Sequence, residues 1–120
     1  MTRDQFQSML KAEFEEILKL NSTKGHDYAG DEDALRNFKE VGKRSGQTPI
    51  NVWSVYYMKH EMSIETYVRE GGLMSEPIEG RIRDAILYLF LLLGLIQEQT
   101  DPFVGEHPTV ELDPPTAEMR

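Results

Sequence analysis

The side chains best suited to metal-assisted chemistry fall on two predicted helices. His60 and Glu61 lie on the aromatic face of one helix, and Glu76 and Asp84 lie on the next. Adjacent ionisable groups on a core-facing helix need partners, although a lone buried histidine is more often structural than a ligand. Carboxylate oxygens suit Mg²⁺ or Mn²⁺, with phosphate oxygens and waters completing the coordination. The pattern therefore predicts carboxylates converging inside a small helical domain.

Two further carboxylates, Glu13 and Glu16, lie within or beside the apolar arc of the first predicted helix. One interpretation is an ion pair with a lysine or arginine of a neighbouring helix. The other is a pair of metal ligands, because side chains three residues apart on a helix point the same way. Glu79 and Arg83, four residues apart, predict an ordinary surface ion pair.

Gly80 lies between Glu76 and Asp84 in the last predicted helix. Glycine inside a helix costs about 1 kcal/mol relative to alanine, so its presence suggests a close approach. Either a ligand or a crossing helix would explain it.

A polar segment, Lys24 to Gly30, holds a base, an imidazole, an acid and a phenol between glycines. Such loops often contact substrates, but a solvated turn has the same composition.

Composition excludes several classes of protein. The 120 residues include no cysteine, so disulfides, zinc-cysteine sites and thiol nucleophiles are absent. A net charge of −8 disfavours binding to nucleic acid. The apolar run Ala85–Ile96 has twelve residues, against roughly 20 for a membrane span, and predicts a buried core helix. Because the N-terminus resembles no export signal, we expect a cytoplasmic protein.

Helical periodicity and end signals predict a small, all-α, four-helix bundle-like domain over residues 1–99. Three of the predicted helices span about 3–20, 49–70 and 75–99, with Thr2, Thr48 and Ser75 as N-caps. A short helix from about residue 34 is predicted to stop near Gly42 or Gly46. Residues 100–120 are acidic and rich in proline, and predict an extended or disordered tail. Because the last helix is apolar all round, we also expect a homo-oligomer, a dimer or tetramer.

A series of short motifs along residues 24–97 resembles a known family. The motifs, in chain order, are Asp27-Tyr28, Asn37-Phe38, Lys59-His60, Ser75-Glu76 and Asp84 before an aliphatic helix. This order resembles the nucleotide modification associated domain proteins of phages and bacteria. It is also similar to phage deoxynucleoside triphosphate diphosphohydrolases, and both are related in pattern to MazG-like all-α nucleotide pyrophosphohydrolases.

The resemblance implies Mg²⁺-dependent cleavage between the α- and β-phosphates of a nucleoside triphosphate in an oligomeric helical bundle. Glu76 and Asp84 match the acidic positions of the last helix. Lys59 and His60 match the basic pair. The loop positions are matched by Asp27, Tyr28 and Asn37.

This chain departs from the MazG pattern of Glu-x-x-Glu followed closely by Glu-x-x-Asp. Glu13-x-x-Glu16 lies far upstream, and Glu76 and Asp84 are eight residues apart. Where some relatives carry an acid before the lysine, this chain has Met58.

The leading hypothesis is therefore a nucleoside triphosphate pyrophosphohydrolase. Glu61 would take the place of the acid that some relatives carry where this chain has Met58. Glu61, Glu76 and Asp84 would hold Mg²⁺ or Mn²⁺, with Glu61 and Asp84 as the catalytic acids. Lys24, Lys59 and His60 would offset the charge of the phosphates.

Two alternatives stay open. One is a non-catalytic helical module that binds a nucleotide or a protein partner. The other is a structural oligomer in which His60 and Glu61 form a buried polar contact between subunits.

Overall fold

The computed structural model describes residues 1–25, 27, 32–72 and 76–100, and these form an all-α bundle. Its α-helices are α1 (Arg3–Leu20), α2 (Arg36–Ser45), α3 (Pro49–Glu70) and α4 (Ile78–Thr100). A π-helical turn, Asn21–Gly25, continues α1. None of the described residues is in a strand. The all-α fold predicted from helical periodicity is therefore confirmed.

The predicted helix starts are confirmed at α1 and α3. The hydroxyl of Thr2 accepts from the backbone N–H of Gln5 at 3.1 Å, and the Gln5 side chain accepts from the Thr2 N–H at 2.8 Å. Thr48 accepts from the backbone N–H of Asn51 at 3.1 Å, with Pro49 at the first helical position. These side chains satisfy N–H groups that lack a partner within the helix.

Helix ends agree with the prediction for α2 and α3. Gly46 and Gly71 follow these helices with φ of 73° and 81°, a left-handed conformation that glycine adopts without strain. Helix α1 spans Arg3–Leu20, which is the predicted range, and α4 ends at Thr100, one residue beyond the predicted end. The Thr23 hydroxyl donates to backbone carbonyls at the end of α1, and the chain stays helical as a π turn there. Helix α4 begins at Ile78, directly after Pro77, and the predicted cap Ser75 lies outside the described residues.

The core is formed where α2, α3 and α4 meet. Its buried residues are Leu35, Phe38, Val52, Trp53 and Leu95. The indole N–H of Trp53 donates to the backbone carbonyl of Tyr88 at 2.6 Å, joining α3 to α4. The Phe38 ring lies 6.0 Å from the rings of Tyr56 and Tyr88, between centroids. Aromatic packing and one indole hydrogen bond thus hold α3 against α4.

The other side of α4 is largely exposed in the single chain. Ala85 and Leu95 are buried, but Phe90 and Leu93 are about half exposed. In α1 only Ile17 is buried. The sequence predicted burial of Ala85–Ile96, and the chain by itself achieves this on one side only. In the part of the chain that the structure describes, no helix has the length and apolar character to cross a membrane.

Candidate functional site

His60 and Asp84 meet between α3 and α4. His60 is 9% exposed, and its Nδ1 lies 3.9 Å from Oδ2 of Asp84. The Tyr88 ring packs beside the imidazole, with 4.9 Å between centroids. The imidazole of His60 is thus part of the aromatic packing between the two helices. The sequence predicted an inward position for His60 and for Asp84, and the structure brings the two side chains together.

Glu76 and Arg81 form an ion pair at the start of α4. Glu76 lies two residues before the helix, where the positive end of the helix dipole favours a carboxylate. Arg81 is one turn before Asp84 on the same helix, so the pair adjoins the His60–Asp84 contact along α4. An arginine partner offsets the charge of Glu76, which reduces its suitability as a metal ligand.

Glu61 differs from the prediction because it is exposed, as is Lys59 on the other side of His60. Successive residues of a helix point about 100° apart, and in this triplet only His60 is turned fully into the core. Among the described residues, no group of three or more His, Asp or Glu side chains could hold a metal ion. The residues that the structure describes therefore do not by themselves form a complete Mg²⁺ site, and the ligand set of Glu61, Glu76 and Asp84 stays a prediction.

Glu13 pairs with Arg83, which joins α1 to α4. The guanidinium donates twice, from Nε to Oε1 at 2.5 Å and from Nη2 to Oε2 at 3.1 Å. These hydrogen bonds hold the pKa of Glu13 below its ordinary value and raise the pKa of Arg83. The ion-pair interpretation of Glu13 is thus confirmed. The hydrogen bonds that Glu79 was expected to make with Arg83 go to Glu13 instead.

The remaining predicted residues are spread over the chain. Asn37 is half-buried on α2, and Asp27 is exposed. Tyr28 and the side chain of Lys24 lie outside what the structure describes. Glu16 is within 3.5 Å of Lys19 on the exposed side of α1.

Gly80 has open space beside it in the single chain. Among the described residues, no atom lies within 4 Å of a Cβ added there. No described helix of this chain crosses α4 at Gly80, so the crossing interpretation fails within one subunit.

An ion cluster that the sequence did not predict joins the segment before α2 to the end of α4. Lys39 Nζ lies 2.8 Å from Asp33 Oδ2 and 2.8 Å from Glu98 Oε1. The hydrogen bond from Lys39 lowers the pKa of Asp33, and the two carboxylates together raise the pKa of Lys39. The cluster connects residues far apart in sequence, so helical periodicity contains no signal for it.

A cleft of about 530 Å³ lies between α1, α4 and residues 32–35. Its walls include Phe14, Leu35, Phe90 and Gly94, and Asp33 and Glu98 lie at its polar edge. The cleft is mostly apolar and lies away from His60 and Asp84, on the side of α4 that α1 covers.

No protein-family model matches this chain, and no curated protein or solved structure is significantly similar to it. Interpretation of the site therefore depends on its own residues and contacts.

Proposed function

We propose that this protein is a nucleoside triphosphate pyrophosphohydrolase that releases a nucleoside monophosphate and pyrophosphate. The observation that carries the proposal is the contact between His60 and Asp84, with 3.9 Å between Nδ1 and Oδ2 in a largely buried position. The order of motifs along residues 24–97, which resembles nucleotide pyrophosphohydrolases, supports the same assignment.

The proposed chemistry runs through the imidazole of His60. A carboxylate 3.9 Å from one ring nitrogen favours the protonated ring electrostatically, so the other nitrogen can accept a proton from water. The water oxygen forms a bond to the α-phosphorus, and the bond from that phosphorus to the bridging oxygen breaks. Pyrophosphate leaves with the electron pair. In this scheme His60 accepts the proton, and the charge of Asp84 stabilises the imidazolium.

Two positive side chains on the same helices could contribute to binding phosphate, Arg81 once it is released from Glu76 and the exposed Lys59. Arg81 lies one turn from Asp84 on α4, and Lys59 precedes His60 on α3. Electrostatic stabilisation by such groups is a large part of catalysis in phosphoryl transfer. Mg²⁺, which the family resemblance implies, or Mn²⁺, which the same oxygen ligands suit, would offset further phosphate charge. Because the described acids do not form a full ligand set, we assign no step to the metal.

The test is a screen of ribo- and deoxyribonucleoside triphosphates with Mg²⁺ or Mn²⁺, resolving monophosphate, pyrophosphate and phosphate. We expect one or more substrates to yield monophosphate and pyrophosphate. Asp84→Asn should reduce kcat about 100-fold or more, in the range of a lost acid–base contribution. Glu65→Gln, which alters an exposed carboxylate of α3, is the matched control and should keep full turnover. Full turnover in Asp84→Asn with a native circular dichroism spectrum would remove Asp84 from the reaction.

The pairing of Glu76 with Arg81 and the exposure of Glu61 favour a second candidate. In that candidate the chain is a non-catalytic module that binds a nucleotide without needing a metal. Calorimetric titration with nucleotides, in EDTA and in Mg²⁺, distinguishes the two. Binding that is equal in both buffers, without any product, would support the module and contradict the hydrolase.

A further inference from the structure

Arg81 is a largely enclosed cation near the start of α4. Only 25% of its side chain is exposed, and its Nε is buried with no hydrogen-bond partner among the residues that the structure describes. Its ion pair is with Glu76, whose side chain is 40% exposed. A guanidinium has five N–H donors in a rigid fork, so one carboxylate cannot satisfy all of them. Arg81 therefore has donors left for a larger anion.

The space for such an anion lies at Gly80. In the described part of the chain, a Cβ built at Gly80 would have no neighbour within 4 Å. Gly80 is four residues before Asp84, so the two positions share a side of α4. Arg81 is three residues before Asp84 and, like it, is half-buried. An open notch thus adjoins Arg81 along the helix, one turn from the contact between Asp84 and His60.

The two partners of the ion pair differ in how firmly they are held. Arg81 lies inside α4, which starts at Ile78, and its Nε is buried. Glu76 lies before the helix and is exposed. Exposed ion pairs contribute little to stability, so a stronger acceptor can replace Glu76 at small cost. A phosphate group is such an acceptor, because it has more charge and accepts paired hydrogen bonds from a guanidinium.

Arg83 shows the opposite arrangement on the same helix. Its guanidinium donates from two nitrogens to the two carboxylate oxygens of Glu13, which lies within α1. Displacing Glu13 would break a contact between two helices, whereas displacing Glu76 breaks a contact between residues five apart in the chain. Of the two arginines, Arg81 is therefore the one that a phosphate can reach at lower cost.

We infer, on the basis of the proposed function, that the carboxylate of Glu76 occupies the phosphate-binding position on Arg81 until a phosphate group of the substrate displaces it. Arg81 then binds a phosphate beyond the reacting one, because it lies one turn from Asp84. Glu76 competes for the same donors, so its return to Arg81 favours release of the pyrophosphate product. Glu76 is thus a positioning residue that acts through Arg81.

The test is calorimetric titration of the full-length chain with inorganic pyrophosphate in EDTA, which requires neither a metal nor turnover. We expect Glu76→Gln to tighten pyrophosphate binding about two- to fivefold, the range of an exposed ion pair. Arg81→Gln should weaken binding about tenfold or more, the range of a lost hydrogen bond to a charged group. Arg81→Lys, which keeps the charge but not the fork, should lie between the wild type and Arg81→Gln.

The matched control is Glu79→Gln, which removes an equal charge from the first turn of α4. It should leave the affinity for pyrophosphate unchanged. If Glu76 acts through Arg81, the double variant of Glu76→Gln with Arg81→Gln should bind as weakly as Arg81→Gln alone. An equal gain from Glu76→Gln with and without Arg81 would overturn the inference. So would an affinity unchanged by Glu76→Gln, or no saturable binding of millimolar pyrophosphate by the wild type or by Glu76→Gln with native circular dichroism spectra.

Failure of the proposed reaction is distinguishable from failure of this role of Glu76. Turnover of a nucleoside triphosphate, together with equal pyrophosphate affinity in the wild type and Glu76→Gln, would overturn the role of Glu76 alone. No turnover of any nucleotide in the screen, together with the expected affinities, would overturn the hydrolase and support Arg81 as a phosphate site.

Discussion

Both sides of α4 carry large apolar residues but differ in what the chain places against them. On the inner side Leu95 is 4% exposed, and Tyr88 accepts a hydrogen bond from Trp53 through its backbone carbonyl. On the outer side Leu89 and Leu93 are about half exposed. Hydropathy alone predicted burial all round. An apolar helix face therefore predicts that another surface packs against it, but not whether that surface belongs to the same chain.

Polar contacts on the inner side of α4 are also more buried than those at its edge toward α1. On the inner side, His60 and Asp84 meet in a largely buried position. At the edge toward α1, Glu13 and Arg83 pair with about one third of each side chain exposed. Exposed ion pairs contribute little to stability, so α1 is expected to be held less firmly than α3.

The largest expected effect is a difference in the free energy of unfolding between variants on the two sides of α4. Trp53→Ala removes a buried ring and its hydrogen bond to Tyr88, and should lower the free energy of unfolding by about 3–5 kcal/mol. Leu93→Ala should cost far less at low protein concentration because Leu93 is half exposed. Urea unfolding at several protein concentrations measures both. The cost of Leu93→Ala should increase with concentration if the outer side is buried in a dimer. Equal costs for the two variants at low concentration would contradict the comparison.

An intermediate effect comes from two helical glycines. A Cβ at Gly42 would lie 2.6 Å from the backbone oxygen of Gln47, so Gly42→Ala should cost about 1–3 kcal/mol. A Cβ at Gly80 meets nothing within 4 Å, so Gly80→Ala should stabilise the chain by about 1 kcal/mol or less. Thermal unfolding compares the two variants.

Gly80→Ala also tests the proposed function, through its effect on KM. If a nucleotide approaches Gly80 closely, Gly80→Ala should raise KM although the fold is more stable. Unchanged KM together with higher stability would leave the glycine without a role in binding.

The smallest effect concerns acid stability. The pKa of Glu13 and of Asp33 is lowered by hydrogen bonds from Arg83 and Lys39, so each carboxylate binds its proton less readily in the folded state. Their stabilisation is therefore present above the ordinary pKa values, 4.5 and 3.8, and is lost as the pH falls through the lower folded values. Glu13→Gln should flatten the fall in stability below pH 4.5.

The control for acid stability is Glu40→Gln. Glu40 lies 3.2 Å from Arg44 in an exposed pair on α2. This variant should keep the slope of the wild type between pH 5 and 3, measured by urea unfolding at each pH. An equal flattening by both variants would argue against a particular role for the contact between α1 and α4.

Features that depend on neighbouring residues could be predicted from the sequence. The capping box at Thr2, the Thr48-Pro49 start and the glycines after α2 and α3 agree with the structure, because each acts within one turn of the chain. The inward position of His60 was also predicted, since it lies at the centre of the aromatic face of α3.

Features at the edge of a helical face could not be predicted in this way. Glu61 is only 100° from His60, and which of them is buried depends on how α4 lies across α3. The partner of Arg83 could not be predicted either. Arg83 donates to Glu13 and not to Glu79 because α1 lies beside α4.

The sequence by itself determined the helical class and most of the helix ends, because capping, glycine and periodicity act over a few residues. Tertiary structure alone decided the pairing of His60 with Asp84, the Lys39 cluster with Asp33 and Glu98, and the exposed face of α4. These contacts join residues far apart in the chain, and they depend on the angle and rotation at which whole helices pack.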